Sequence, residues 1–92
     1  MKTTLFQRNE GIYIQEMDGD LFLANEESGS IYRLNAIGTA FWRILENPCD
    51  LETILDLFCA GFPNQRRSDL CRDITDLIDQ LEDHGLILRK EN

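Results

Sequence analysis

Residues 29–45 read GSIYRLNAIGTAFWRIL, and across two of them a pattern of period two gives way to one of period 3.6. From Ser30 to Leu34 the side chains alternate, with Tyr32 and Leu34 on one face and Ile31 and Arg33 on the other, as a strand requires. Asn35 suits a helix N-cap, because its side-chain oxygen accepts a hydrogen bond from an otherwise orphaned N–H of the first turn. Ile37, Phe41, Ile44 and Leu45 then recur at helical spacing, with Trp42 widening the stripe. The spacing predicts a helix that ends near Glu46, ahead of Asn47-Pro48. Trp42 and Leu34 read as core.

Upstream, IYIQEM (residues 12–17) and DLFLAN (20–25) are β-favouring runs separated by Asp18-Gly19. Asp-Gly between two such runs predicts a two-residue type I′ hairpin, whose positive φ values aspartate and glycine tolerate. NEESG (25–29) has the polar residues and closing glycine of a longer hairpin loop. Ser30–Leu34 therefore becomes the third strand of an antiparallel meander with two free edges.

Downstream, Asp50 caps a second helix whose Leu51, Ile54, Leu55, Phe58 and Phe62 fall on one face, with Gly61 marking its stop. After a loop, PNQRR, Ser68 is the expected cap of the third and longest helix. Leu70, Ile74, Leu77, Ile78 and Leu81 form its stripe, His84 and Gly85 end it, and LILRK reads as an extended tail docking on the core. The order is three strands, three helices and a tail: an α+β fold of winged helix-turn-helix type. With 92 residues, one domain spanning 1–92 is expected.

Net charge is −8, and the third helix carries Asp69, Asp73, Asp76, Asp79, Glu82 and Asp83 against Arg72 alone. Phosphate-backbone binding is driven by basic side chains. The same face that repels nucleic acid would attract a cation-bearing ligand. No apolar run is long enough to cross a bilayer, and MKTTLFQRNEG lacks the apolar core of a signal peptide, so a cytoplasmic protein is expected. Cys49, Cys59 and Cys71 form no CxxC pair and read as buried small apolar side chains rather than a disulfide or zinc framework. The lone histidine has no second ligand at i+4. Nothing has the pattern of a phosphate loop, a nucleophile elbow or a Cys-His pair. An enzyme is not expected, and neither is a cofactor or a metal.

Leu34-Asn35, then Thr39, Ala40, Phe41 and Trp42, then Asp50 to Phe58, and finally LIDQLEDHGLI (77–87) occur in that order and at these separations. As a set they resemble the pyrroloquinoline quinone biosynthesis protein D (PqqD) family over about residues 11–88. The resemblance implies a domain that binds the leader segment of a ribosomally made precursor peptide and presents it to a modifying enzyme. That enzyme is commonly a radical SAM enzyme, or in lasso-peptide pathways a protease and a cyclase. The leader would add antiparallel to the third strand, since an uncovered strand edge is a template for pairing.

On this chain the pairing backbone would belong to Ser30, Ile31, Tyr32, Arg33 and Leu34, with Asp73, Leu77 and Gln80 as the far wall of the groove. Arg33 is free to meet a leader carboxylate. An exposed edge also offers itself to a second copy, so a homodimer that the leader dissociates is a further expectation. The alternative function is a winged-helix DNA-binding regulator, whose third helix would have to enter the major groove despite its acids.

Overall fold

In the computed structural model, which describes residues 3–91, the chain runs β1 (Thr4–Arg8), β2 (Ile12–Met17), β3 (Asp20–Asn25), β4 (Ile31–Leu34), α1 (Ala36–Ile44), β5 (Cys49–Asp50), α2 (Leu51–Gly61), α3 (Arg67–Asp83) and β6 (Ile87–Glu91). The meander is present as an antiparallel sheet in the order β2-β3-β4. Its first turn has φ of 54° at Asp18 and 83° at Gly19, the signs a type I′ turn demands. Register runs from Ile12↔Asn25 to Met17↔Asp20 and from Leu21↔Leu34 to Ala24↔Ile31.

The inner face of the meander contributes Leu23 and Leu34 to the core. The helical stripes supply Phe41, Trp42, Leu45, Ile54, Leu55, Phe58, Leu70, Ile74, Ile78 and Leu81. Leu51, Phe62 and Leu77 lie at its margin. Phe6, Leu86 and Ile87 complete the same core from the two ends of the chain; fully burying a side chain of this size contributes roughly 1.5–3 kcal/mol, so the domain holds without a staple.

Two of the three expected caps form. The Asn35 side chain accepts from the Gly38 N–H at 2.8 Å, and the Asp50 side chain from the Thr53 N–H at 3.0 Å. Hydrogen bonds from Thr53, through its side chain and then its backbone, hold the Asp50 carboxyl below the usual carboxylate range. The strand-to-helix junction is tight because α1 rests on β4. A Cβ on the buried Gly38 would lie 2.9 Å from Leu34 Cδ2 and 3.3 Å from Leu34 Cβ. Asn35→Ala is expected to cost about 1 kcal/mol, the usual loss for an N-cap, read as a lower urea midpoint at unchanged slope.

Helix α3 ends in a Schellman motif: the Leu86 N–H donates to the Leu81 carbonyl at 2.9 Å and the Gly85 N–H to the Glu82 carbonyl at 2.9 Å. Gly85 sits at φ 69°, and a Cβ there would lie 2.8 Å from Asn25 Nδ2. The buried Asn25 fills that space, donating to the Gly85 carbonyl at 3.0 Å and accepting from the Glu27 N–H at 3.0 Å. It ties the β3–β4 loop to the end of α3.

Four features differ from the expectations. A second antiparallel sheet, β5-β1-β6, joins the two ends of the chain, with β1 and β6 in register from Thr4↔Glu91 to Arg8↔Ile87. Only the tail was anticipated. Helix α1 ends at Ile44 rather than near Glu46, since Leu45 already leaves the helical conformation. Helix α3 starts at Arg67 after an uncapped Arg66, with Ser68 inside the first turn and not its cap. Arg67, the first residue of α3, instead reaches Asp56 on α2 at 2.9 Å in an exposed contact between the two helices. The three cysteines are free but half-buried rather than buried. Burial, with the nearby Asp50 charge behind it, pushes the Cys49 thiol up.

Candidate functional site

The site is built from the open edge of β4 and the face of α3 beside it. The Asn25 N–H donates to the Ser30 carbonyl at 2.8 Å, and the β3–β4 register continues from that pair. Hydrogen-bonded and non-hydrogen-bonded pairs alternate along an antiparallel ladder. Tyr32 and Leu34 therefore turn their backbone groups toward β3, while Ile31 and Arg33 turn theirs to the free edge. No strand pairs with that edge among the described residues.

Side chains follow the other alternation. Leu34 is buried and Tyr32 half-buried on the inner face, whereas Ile31 is 72% exposed on the outer one. Arg33, also outward, is paired with Asp20 at 2.6 Å across the β3–β4 pair. It meets a carboxylate of its own chain, not an open position.

Between β4 and α3 lie two adjoining hollows. One, of about 320 Å³, is lined by Tyr32, Arg33, Leu34, Asn35 and Leu77. The other, of about 230 Å³, is lined by Tyr32, Asn35, Ile37, Asp73, Asp76, Leu77 and Gln80. The Tyr32 hydroxyl donates to Gln80 Oε1 and so links the two walls. Its ring also rests against His84, with centroids 5.2 Å apart, so the end of α3 helps to set the angle of Tyr32.

Of the residues singled out from the sequence, Tyr32, Arg33, Leu34, Asp73, Leu77 and Gln80 meet around these hollows. Ser30 and Ile31 do not: Ser30 closes the β3–β4 loop, and Ile31 lies on the outer face with Tyr13, Met17, Phe22 and Ala24 around a separate apolar hollow. Asn35, Ile37 and Asp76 line the groove without having been singled out for it. The signal for Asp76 was its place three residues after Asp73, on the same side of the helix. Among the described residues no group of three or more His, Cys, Asp or Glu side chains is placed to hold a metal ion, and no helix is long and apolar enough to cross a membrane.

A meander with one edge open beside the last of three helices is an α+β, winged-helix-like architecture. Residues 20–87 match the family described as coenzyme PQQ synthesis protein D (PqqD), and the chain belongs to that family. Among solved structures it is similar to that of TbiB1 in complex with the TbiA(beta) leader peptide. The TM-score is 0.78 at 25% identity, over 88% of this chain and 93% of that one. A comparison with curated proteins gives no match.

Proposed function

We propose that this chain is a peptide-binding adaptor that takes up the leader segment of a ribosomally synthesised precursor peptide and presents it to a modifying enzyme. Supporting this reading, the similar TbiB1 structure is a complex with a leader peptide, and the edge of β4 stands open beside a half-apolar groove. Strand addition would satisfy the outward N–H and C=O groups of Ile31 and Arg33. Alternate leader side chains would then drop into the hollows between β4 and α3, against Tyr32, Leu34, Asp73, Leu77 and Gln80. Ser30 bounds the site at the start of the strand.

In this reading the adaptor has no catalysis of its own and works in the cytoplasm as a single domain spanning 1–92. Its partner enzyme is a radical SAM enzyme or a lasso-pathway protease and cyclase. A second copy pairing on β4 would occupy the same edge, so a homodimer and the leader complex would exclude one another. Neither comparison supports the DNA-binding alternative, and the acids of α3 that line the groove are ill suited to phosphate.

The test is an NMR titration of labelled protein with the leader half of the precursor peptide encoded beside it. Amide shifts centred on Ile31 and Arg33 and on α3 from Asp73 to Gln80 are expected. Saturable binding that moves other surfaces and leaves these still would overturn the reading.

A further inference from the structure

The acids of α3 divide into two kinds. Asp69 is paired with Arg72 at 3.1 Å, Asp79 with Arg89 at 3.5 Å and Glu82 with Arg89 at 2.7 Å. Asp73 and Asp76, the two that line the groove, form no ion pair among the described residues. Nor does the groove's own arginine serve them, since Arg33 is held by Asp20 on the outer face. The remaining unpaired acid of this helix, Asp83, lies beyond the groove.

Both carboxylates stand at the rim of a hollow with an apolar floor. Ile37 and Leu77 are half-buried, pack against the core and line the same 230 Å³ space. An aliphatic stem ending in a cation fits such a site: its methylenes cover the apolar floor while the charged head stays at the wet rim. A purely apolar side chain would leave two like charges uncompensated close to low-dielectric surface, and an acidic one would add a third.

We infer that the hollow formed by Ile37, Leu77, Asp73 and Asp76 is a subsite for a lysine or arginine side chain of the bound leader. This rests on the leader-binding reading and adds the class of leader that the groove accepts. Side chains of an added strand alternate between faces. The basic residue therefore lies on the groove-facing side, and its i±2 neighbour meets the adjoining hollow of Tyr32, Leu34 and Leu77. An apolar residue suits that neighbour, so the recognised pattern is a basic and an apolar residue separated by one.

The probe is a displayed library of random peptides of leader length, selected on the immobilised protein at low salt. Selected peptides that shift the Ile31 and Arg33 amides are expected to share a lysine or arginine at one fixed position. The double variant Asp73→Asn/Asp76→Asn should bind them about tenfold more weakly, and raising the salt should shrink that gap. Asp79→Asn, which also removes a charge from α3 but outside the hollow, should bind as the parent does. Replacing the basic residue by norleucine should give the same loss, with no further loss on the double variant.

Peptides that seat on β4 without a fixed basic residue, or that bind the double variant undiminished, overturn this inference and leave the leader-binding reading standing. Selected peptides that leave the β4 amides unmoved, or a library that yields no binder, remove that reading and the subsite with it. The substituted positions are exposed, and an unchanged circular dichroism melt verifies that the variants fold.

Discussion

Arg33→Pro is expected to weaken leader binding by more than about tenfold while leaving the domain folded. The reason is the phase of the β3–β4 ladder, set by the Asn25 N–H donating to the Ser30 carbonyl. With that phase the Arg33 N–H points to the open edge, so proline removes no hydrogen bond of the native sheet. Edge strands tolerate proline for this reason. An incoming strand would lose one donor and meet the pyrrolidine ring where it must approach. A single net hydrogen bond is worth roughly 0.5–1.5 kcal/mol, and with the steric block the affinity should fall by more than about tenfold.

Two controls separate backbone from side chain. Arg33→Ala keeps the N–H and removes only an exposed pair with Asp20, worth about 0–1 kcal/mol to stability; leader affinity should hold. Tyr32→Pro, one residue away, would break a ladder bond to Leu23 and is expected to unfold the domain. Calorimetric titration with the leader, alongside urea melts, reads all three. If Arg33→Pro bound the leader as the parent does, pairing on this edge would be excluded.

This contrast between neighbours marks how far the sequence could be read. Signals that act within a few residues were legible: the Asp18-Gly19 turn, the Asn35 and Asp50 caps and the helical stripes all lie where the chain's own chemistry puts them. Strand β1 was not, because no turn signal ties it to a neighbouring strand and its partner β6 lies at the far end of the chain. Ser68 was a reasonable cap by residue type, but α3 begins a residue earlier, at Arg67, whose contact with Asp56 of α2 joins residues that local sequence signals do not connect. At the groove, the free edge followed from the meander. Which backbone groups face outward depends on how the NEESG loop closes, and the link between Tyr32 and Gln80 joins residues far apart in sequence. The acids of α3 were visible as a row; that the two lining the groove form no ion pair among the described residues is visible only in three dimensions.

Trp42→Ala is expected to take away much of the stability of the domain. For a chain of this length the total is about 5–14 kcal/mol, and truncating a buried tryptophan costs about 3–5 kcal/mol. Trp42 is 2% exposed in the last turn of α1. From β1 the Arg8 guanidinium lies 4.8 Å over its ring and donates to its carbonyl at 3.0 Å. The substitution would open a cavity and remove the face on which Arg8 rests, leaving its hydrogen bonds to the backbone carbonyl of residue 42.

Trp42→Phe separates two contributions within that loss. The indole Nε1–H is buried with no hydrogen-bond partner among the described residues, and an unmet buried donor costs about 1–3 kcal/mol. Phenylalanine removes that donor and keeps an aromatic face for Arg8, at the expense of a smaller void than alanine leaves. The two effects oppose, and the net change should stay within about 1 kcal/mol. Leader affinity should be unchanged, because Gly38 seats α1 on Leu34 and Trp42 lines neither hollow of the groove. Urea melts of the two variants decide the point: a phenylalanine variant as unstable as the alanine one would mean that the volume of the indole outweighs its stranded donor.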